Sequence, residues 1–159
     1  MEEALDQVKL LDHITTNCSN GIKTAITDSN NIFSMGQKQL LCLARAVIRK
    51  TRILVLDEAT ANIDLETDNF IQEKLKQLFR DRTVIIIAHR LATVIDSDRI
   101  LVMDKGFGRE FDHPYKLLVE NVGDEEITRV DGYFAQMVQA TGEDASKALF
   151  KIAKDKYEM

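Results

Sequence analysis

Long hydrophobic runs are missing from these 159 residues. None approaches the roughly 20 apolar residues needed to cross a bilayer, although 45% of the chain is hydrophobic. The start, Met1-Glu2-Glu3, is acidic rather than basic and does not read as a secretory leader. Membrane association is therefore expected to come through a partner or through segments outside this sequence. An excess of positive charge is lacking too. The formal net charge of −5 disfavours nucleic acid as the main partner. Only two cysteines occur, Cys18 and Cys42, in unrelated contexts without metal-ligand spacing, so reduced thiols in the cytosol are expected. No repeat and no low-complexity tract is present. The length and composition suit one buried core of globular type.

What is present is concentrated in three places. Ser34, followed three residues later by Gln37 and then by an apolar segment, forms a capping box that starts a helix. The unpaired N–H groups and dipole of such a helix start favour a phosphate, and Gly36 would let it approach the backbone closely. The same tetrapeptide also fits an ordinary capped helix. Ile53-Leu54-Val55-Leu56 reads as a strand buried on both faces of a parallel sheet, closed by Asp57-Glu58. Carboxylates there would lie in the crevice where α/β proteins bind ligands. Asp57 suits a Mg2+ ion, usually through water, and Glu58 suits a general base acting on an attacking water. A solvated strand end without chemistry is the alternative. Val84-Ile85-Ile86-Ile87-Ala88 repeats the pattern and ends on His89, whose imidazole could hydrogen-bond a terminal phosphate.

Together these residues resemble a known family. Phe33-Ser34-Met35-Gly36-Gln37 and the segment through Ala46 resemble the signature motif and helix of ABC cassettes. Ile53 to Glu58 resembles the Walker B strand with its catalytic glutamate, Ala61-Asn62-Ile63-Asp64 the D-loop, and His89-Arg90 the switch-histidine loop. The order and spacing match over roughly Glu3 to Gly142. Met35, the run Leu41 to Ala46, Glu110-Phe111-Asp112-His113-Pro114 and Tyr133 to Gln139 look most like the second nucleotide-binding domain of subfamily C, the multidrug-resistance-associated type.

The resemblance implies an α/β fold: an incomplete P-loop NTPase of the ABC type, with parallel core strands flanked by helices and part of the helical subdomain. It implies ATP and Mg2+ as ligands. Ser34, Gly36 and Gln37 would act on ATP held by a second cassette, with Asp64 bridging the two sites, whereas Asp57, Glu58 and His89 would act on this cassette's own nucleotide. Hydrolysis would drive attached transmembrane domains at the cytoplasmic face of a membrane, the plasma membrane by analogy. Phe33 and Met35 stand where the signature usually has Leu and Gly, and a further motif departs from the pattern by its absence. No Gly-x-x-x-x-Gly-Lys-[Ser/Thr] phosphate loop occurs in the chain, which therefore reads as the C-terminal two-thirds of a cassette. A catalytically inert truncated cassette serving as an interaction module, and a non-transport ABC ATPase head, are the other readings.

Organisation follows the same frame. Residues 1–50 are expected to hold the helical subdomain and signature helix, 51–142 the Walker B strand to the C-terminal helices, and 143–159 a charged helical tail. Ala4, Leu5, Val8 and Leu11 predict one amphipathic helix, and Asn17 to Asn31 a turn-rich stretch. Gln37 to Arg49 reads as a helix buried nearly all round. Leu65 to Arg80 predicts a crossover helix with Ile71, Leu75 and Leu78 inward. Arg99 to Met103 reads as a strand before a Gly106-Phe107-Gly108 turn. Tyr115 to Val119 and Gly132 to Thr141 read as short helices around the polar segment Glu120 to Asp131, and Ala145, Leu149 and Ile152 as the apolar stripe of the tail.

Overall fold

Ile53–Asp57 and Thr83–Ile87 form strands β1 and β2, paired in parallel from Ile53 opposite Thr83 to Asp57 opposite Ile87. The computed structural model describes every residue except 28–31 and 58–62, and of Leu65 the backbone alone. Two units emerge, Met1–Ile87 and Ala88–Met159. Among the described residues, no helix is long and apolar enough to cross a membrane.

In the first unit, helices α1 (Glu2–Gln7) and α2 (Leu11–Asn17) replace the single amphipathic helix expected from the pattern. Lys9, with φ of 54°, breaks the run between them. That left-handed turn lets Val8 and Leu10 both enter the core, where each is at most 2% exposed. A short 3-10 turn, Gly21–Lys23, leads toward helix α3 (Met35–Arg49), which ends on Lys50 in the left-handed conformation. Helix α4 (Leu65–Leu78) is the crossover between β1 and β2, burying Ile71 and Leu75 as the spacing predicts.

Two expectations about burial are corrected. Leu54, Leu56 and Val84 pack on the core, but Ile53 and Val55 are 60% and 59% exposed, and Ile85 and Ile87 are uncovered beside them. A parallel pair is normally covered on both faces, and the described residues cover one. Helix α3 is likewise not buried all round. Gly36, Leu40, Leu43, Ala44 and Ala46 face inward, while Met35 and Ile48 are exposed.

The second unit begins with helix α5 (Leu91–Val94), followed by β3 (Ile100–Asp104) and β4 (Phe107–Asp112), an antiparallel hairpin. Lys105 and Gly106, with φ of 48° and 82°, make the turn, so Phe107 and Gly108 belong to β4 rather than to the turn. Two successive positive φ angles match the right-handed twist of a tight hairpin. Helices α6 (Pro114–Leu118), α7 (Tyr133–Gln139) and α8 (Glu143–Glu158) complete the unit. Tyr115, Leu118, Phe134 and Val138 are essentially inaccessible at its centre. Helix α8 joins this core through Leu149, Phe150 and Ala153. The stripe expected through Ala145 and Ile152 is therefore rotated, because Ile152 is 43% exposed while Phe150 packs at a tilt against Tyr115.

Candidate functional site

The start of α3 is built by reciprocal hydrogen bonds. Gln37 N–H donates to Ser34 Oγ at 3.2 Å, and Ser34 N–H donates to Gln37 Oε1 at 2.9 Å. This is the capping box expected from the sequence. Two of the helix's orphan N–H groups are satisfied, while the hydroxyl hydrogen of exposed Ser34 can still be donated elsewhere. Ser34 thus combines a structural bond with a donor facing solvent.

Gln37 is held at its other end by a residue that sequence reasoning passed over. Its Nε2 lies 3.4 Å from His13 Nδ1, and Asn17 Nδ2 lies 3.2 Å from the same nitrogen. Both amides are donors, so Nδ1 is the acceptor and the imidazole proton resides on Nε2, which donates to Ile32 C=O at 3.3 Å. The His13 ring also contacts Phe33, with centroids 5.7 Å apart. His13 therefore grips residues on both sides of Ser34. Nothing local in the sequence links positions 13 and 37, so no motif could have found the pair.

Gly36 is buried, and its bare Cα is where α3 meets α4. A Cβ built there would lie 2.4 Å from Thr67 Cγ2 and 3.5 Å from Ile63 Cγ2. The missing side chain thus serves helix packing, and any approach of an anion would rely on the backbone N–H instead. Thr67 belongs to the first turn of α4, whose N-cap is Asp64. Asp64 Oδ1 accepts from Thr67 N–H at 2.9 Å. That backbone hydrogen bond, the largest influence, holds the Asp64 carboxyl below its ordinary pKa and keeps it ionised at the helix start. Gly36 is thereby brought beside Ile63 and Thr67, at the start of α4 that Asp64 caps.

Asp57 is the last residue of β1 and is exposed, following Ile53 and Val55 along the uncovered face. Glu58, with Ala61 and Asn62, lies outside the described residues. His89 is exposed in the second unit, two residues beyond the end of β2. Among the described residues, no group of three or more His, Cys, Asp or Glu side chains is arranged to hold a metal by itself. A single strand-end carboxylate suits Mg2+, which is commonly bound through one or two carboxylates, substrate phosphates and waters.

Comparison with known proteins adds the remaining finding. The model of the ABC transporter family matches residues 1–61. The probable multidrug resistance-associated protein lethal(2)03659 of Drosophila melanogaster is 43% identical over 154 residues, which are 97% of this chain and 11% of that protein. ATP-binding cassette sub-family C member 4 of Homo sapiens is 44% identical over the same share of each. Metal resistance protein YCF1 of Saccharomyces cerevisiae is 48% identical over 118 residues, covering 74% of this chain and 8% of its own length. The chain thus spans about a tenth of the length of the curated relatives it matches.

Proposed function

Since the chain belongs to the ABC transporter family, in its multidrug-resistance-associated branch, we propose that it supplies part of the ATP-binding and hydrolysing cassette of an export pump. The observation that supports this most is the start of α3, where a formed capping box leaves the Ser34 hydroxyl available as a donor. Ser34 Oγ–H and the Gly36 N–H meet the γ-phosphate of ATP carried by a second cassette. Gln37 and Asp64 hold the adjoining starts of α3 and α4 in place for that contact.

On this cassette's own nucleotide, Glu58 takes the proton of the attacking water and His89 hydrogen-bonds the terminal phosphate. Asp57 would hold Mg2+, which would supply neutralisation of phosphate charge. Association of two cassettes around ATP, and their release after hydrolysis, shift attached transmembrane domains at the cytoplasmic face of a membrane between two states. The chain on its own has no phosphate loop. It is therefore expected to bind ATP weakly and to show no turnover, the behaviour of an inert module, until joined to one.

Ser34→Asp, made in a complete pump bearing this segment, tests the phosphate contact. Aspartate is as good an N-cap as serine, so α3 should keep its start. Two like charges about 4 Å apart repel by roughly 4 kcal/mol at an effective dielectric of about 20, so ATP-driven closure should weaken by about 100-fold or more. ATP labelling of this cassette's own site should persist. Closure at the wild-type ATP concentration would remove Ser34 from the phosphate site.

A further inference from the structure

The outward face of α3 borders an apolar cleft. Arg45, Ile48 and Arg49 fall on the exposed side of the helix, beside half-buried Leu41, which packs on the core. They border a cleft of about 330 Å³, within the range of roughly 300–1,000 Å³ typical of ligand pockets. Its apolar floor comes from Leu5 of α1, Ile14 of α2 and Phe33. At its rim, Ile22, Ile26 and Ile48 are 38%, 62% and 48% exposed. Bulky apolar side chains gathered round one cleft, rather than scattered singly, mark an interaction surface.

Two polar features define what fits. The Thr24 hydroxyl oxygen lines the cleft, buried and without a hydrogen-bond partner among the described residues. A buried polar group left so is destabilising until a partner arrives. Arg45 and Arg49 are exposed, one turn apart, and neither forms an ion pair among the described residues. Unpaired guanidinium groups beside an apolar cleft complement a carboxylate carried next to apolar anchors. The isoleucine rim extends the apolar surface beyond the cleft, which suits a polypeptide better than a single small molecule. We propose that this cleft docks an acidic peptide segment of a partner protein, placing two or more bulky apolar side chains in the cleft and a carboxylate on Arg45 and Arg49. A backbone group of that segment would satisfy Thr24.

The test uses the full chain and a fluorescein-labelled dodecapeptide with leucine and phenylalanine at helical spacing and glutamate between them, against the same peptide with lysine for each glutamate. Saturable binding of the acidic peptide is expected, at least about tenfold tighter than the basic one, with methyl NMR shifts at Ile22, Ile26 and Ile48. The exposed double variant Arg45→Glu/Arg49→Glu should retain the fold and reverse the preference. Equal affinity for both peptides, an unchanged preference in the double variant, or shifts at Ile85 and Ile87 instead would overturn the proposal. So would absence of saturable binding, laurate displacing the peptide from the same methyls at lower concentration, or shifts on concentrating the chain alone, which would make the occupant an amphiphile or a second copy.

Discussion

The first unit caps α3 and α4 from within their own first turns, whereas the second caps α7 from a distant strand. Ser34 pairs with Gln37 and Asp64 with Thr67, each three residues along the same helix start. In the second unit, Glu110 on β4 accepts from the N–H groups of Tyr133 and Phe134 at 3.1 and 2.8 Å, across 23 and 24 residues. Tyr115 OH, nearly inaccessible, donates to Asp124 C=O and accepts from Gly123 N–H, pinning the loop after α6. Local caps let a helix start face outward with donors to spare. Distant caps fasten elements together and use those donors up.

The contrast is most sharply tested by burial. Phe134→Ala should destabilise the second unit by about 3–5 kcal/mol, whereas Ile85→Thr, on the uncovered sheet face, should change the first by no more than about 0.5 kcal/mol. Urea unfolding followed separately in each unit would check this, and comparable losses would break the comparison. Next in size is Gly36→Ala. Overpacking against Thr67 should cost about 1–3 kcal/mol, offset by up to about 1 kcal/mol of better helix propensity. Adding Thr67→Ser removes the opposing methyl and should restore stability; failure to recover would detach Gly36 from α4. Ser34→Ala should then cost about 1 kcal/mol through loss of the cap, read as earlier melting of α3 by hydrogen exchange.

Smallest is a difference in acid sensitivity. His113 caps α6 by accepting from Tyr115 N–H at 3.2 Å and lies against Tyr157 of α8, 5.1 Å between centroids. Burial lowers its pKa from the ordinary 6.5, opposed by Asp98 and Asp112 and reinforced by Lys156 and Lys116. Because the folded state disfavours the proton, this contribution is complete above about pH 6.5 and is lost as pH falls toward the folded value. Asp64 in the first unit also has a lowered pKa, but from 3.8, so its contribution fades only in stronger acid. As pH falls below about 6.5 the second unit should therefore soften first. His113→Asn keeps a cap without titrating, and should remove that part of the pH dependence in melting curves.

Much of this was legible because it is local. The capping box, the two strands, the crossover through α4 and the signature-like segment each depend on residues within a few positions of one another. The misreadings were non-local. Periodicity through Ala4 and Leu11 could not reveal the left-handed Lys9. The apolar runs of β1 and β2 suggested cover on both faces, which the described residues provide on one. At the site, Ser34 and Gln37 could be read directly. His13 reaches Gln37 across 24 positions, and Thr67 fills the space left by Gly36, so both needed the fold. The glycine itself was visible, but its packing partner was not.

Hydrolysis of Mg2+-ATP by a complete cassette pair bearing this segment, wild type against Glu58→Gln, tests the assignment to an ATP-driven pump most directly. Loss of the general base should slow turnover by roughly 100- to 10,000-fold, about 3–5 kcal/mol in barrier, with ATP binding retained. Turnover of Glu58→Gln at the wild-type rate would contradict it.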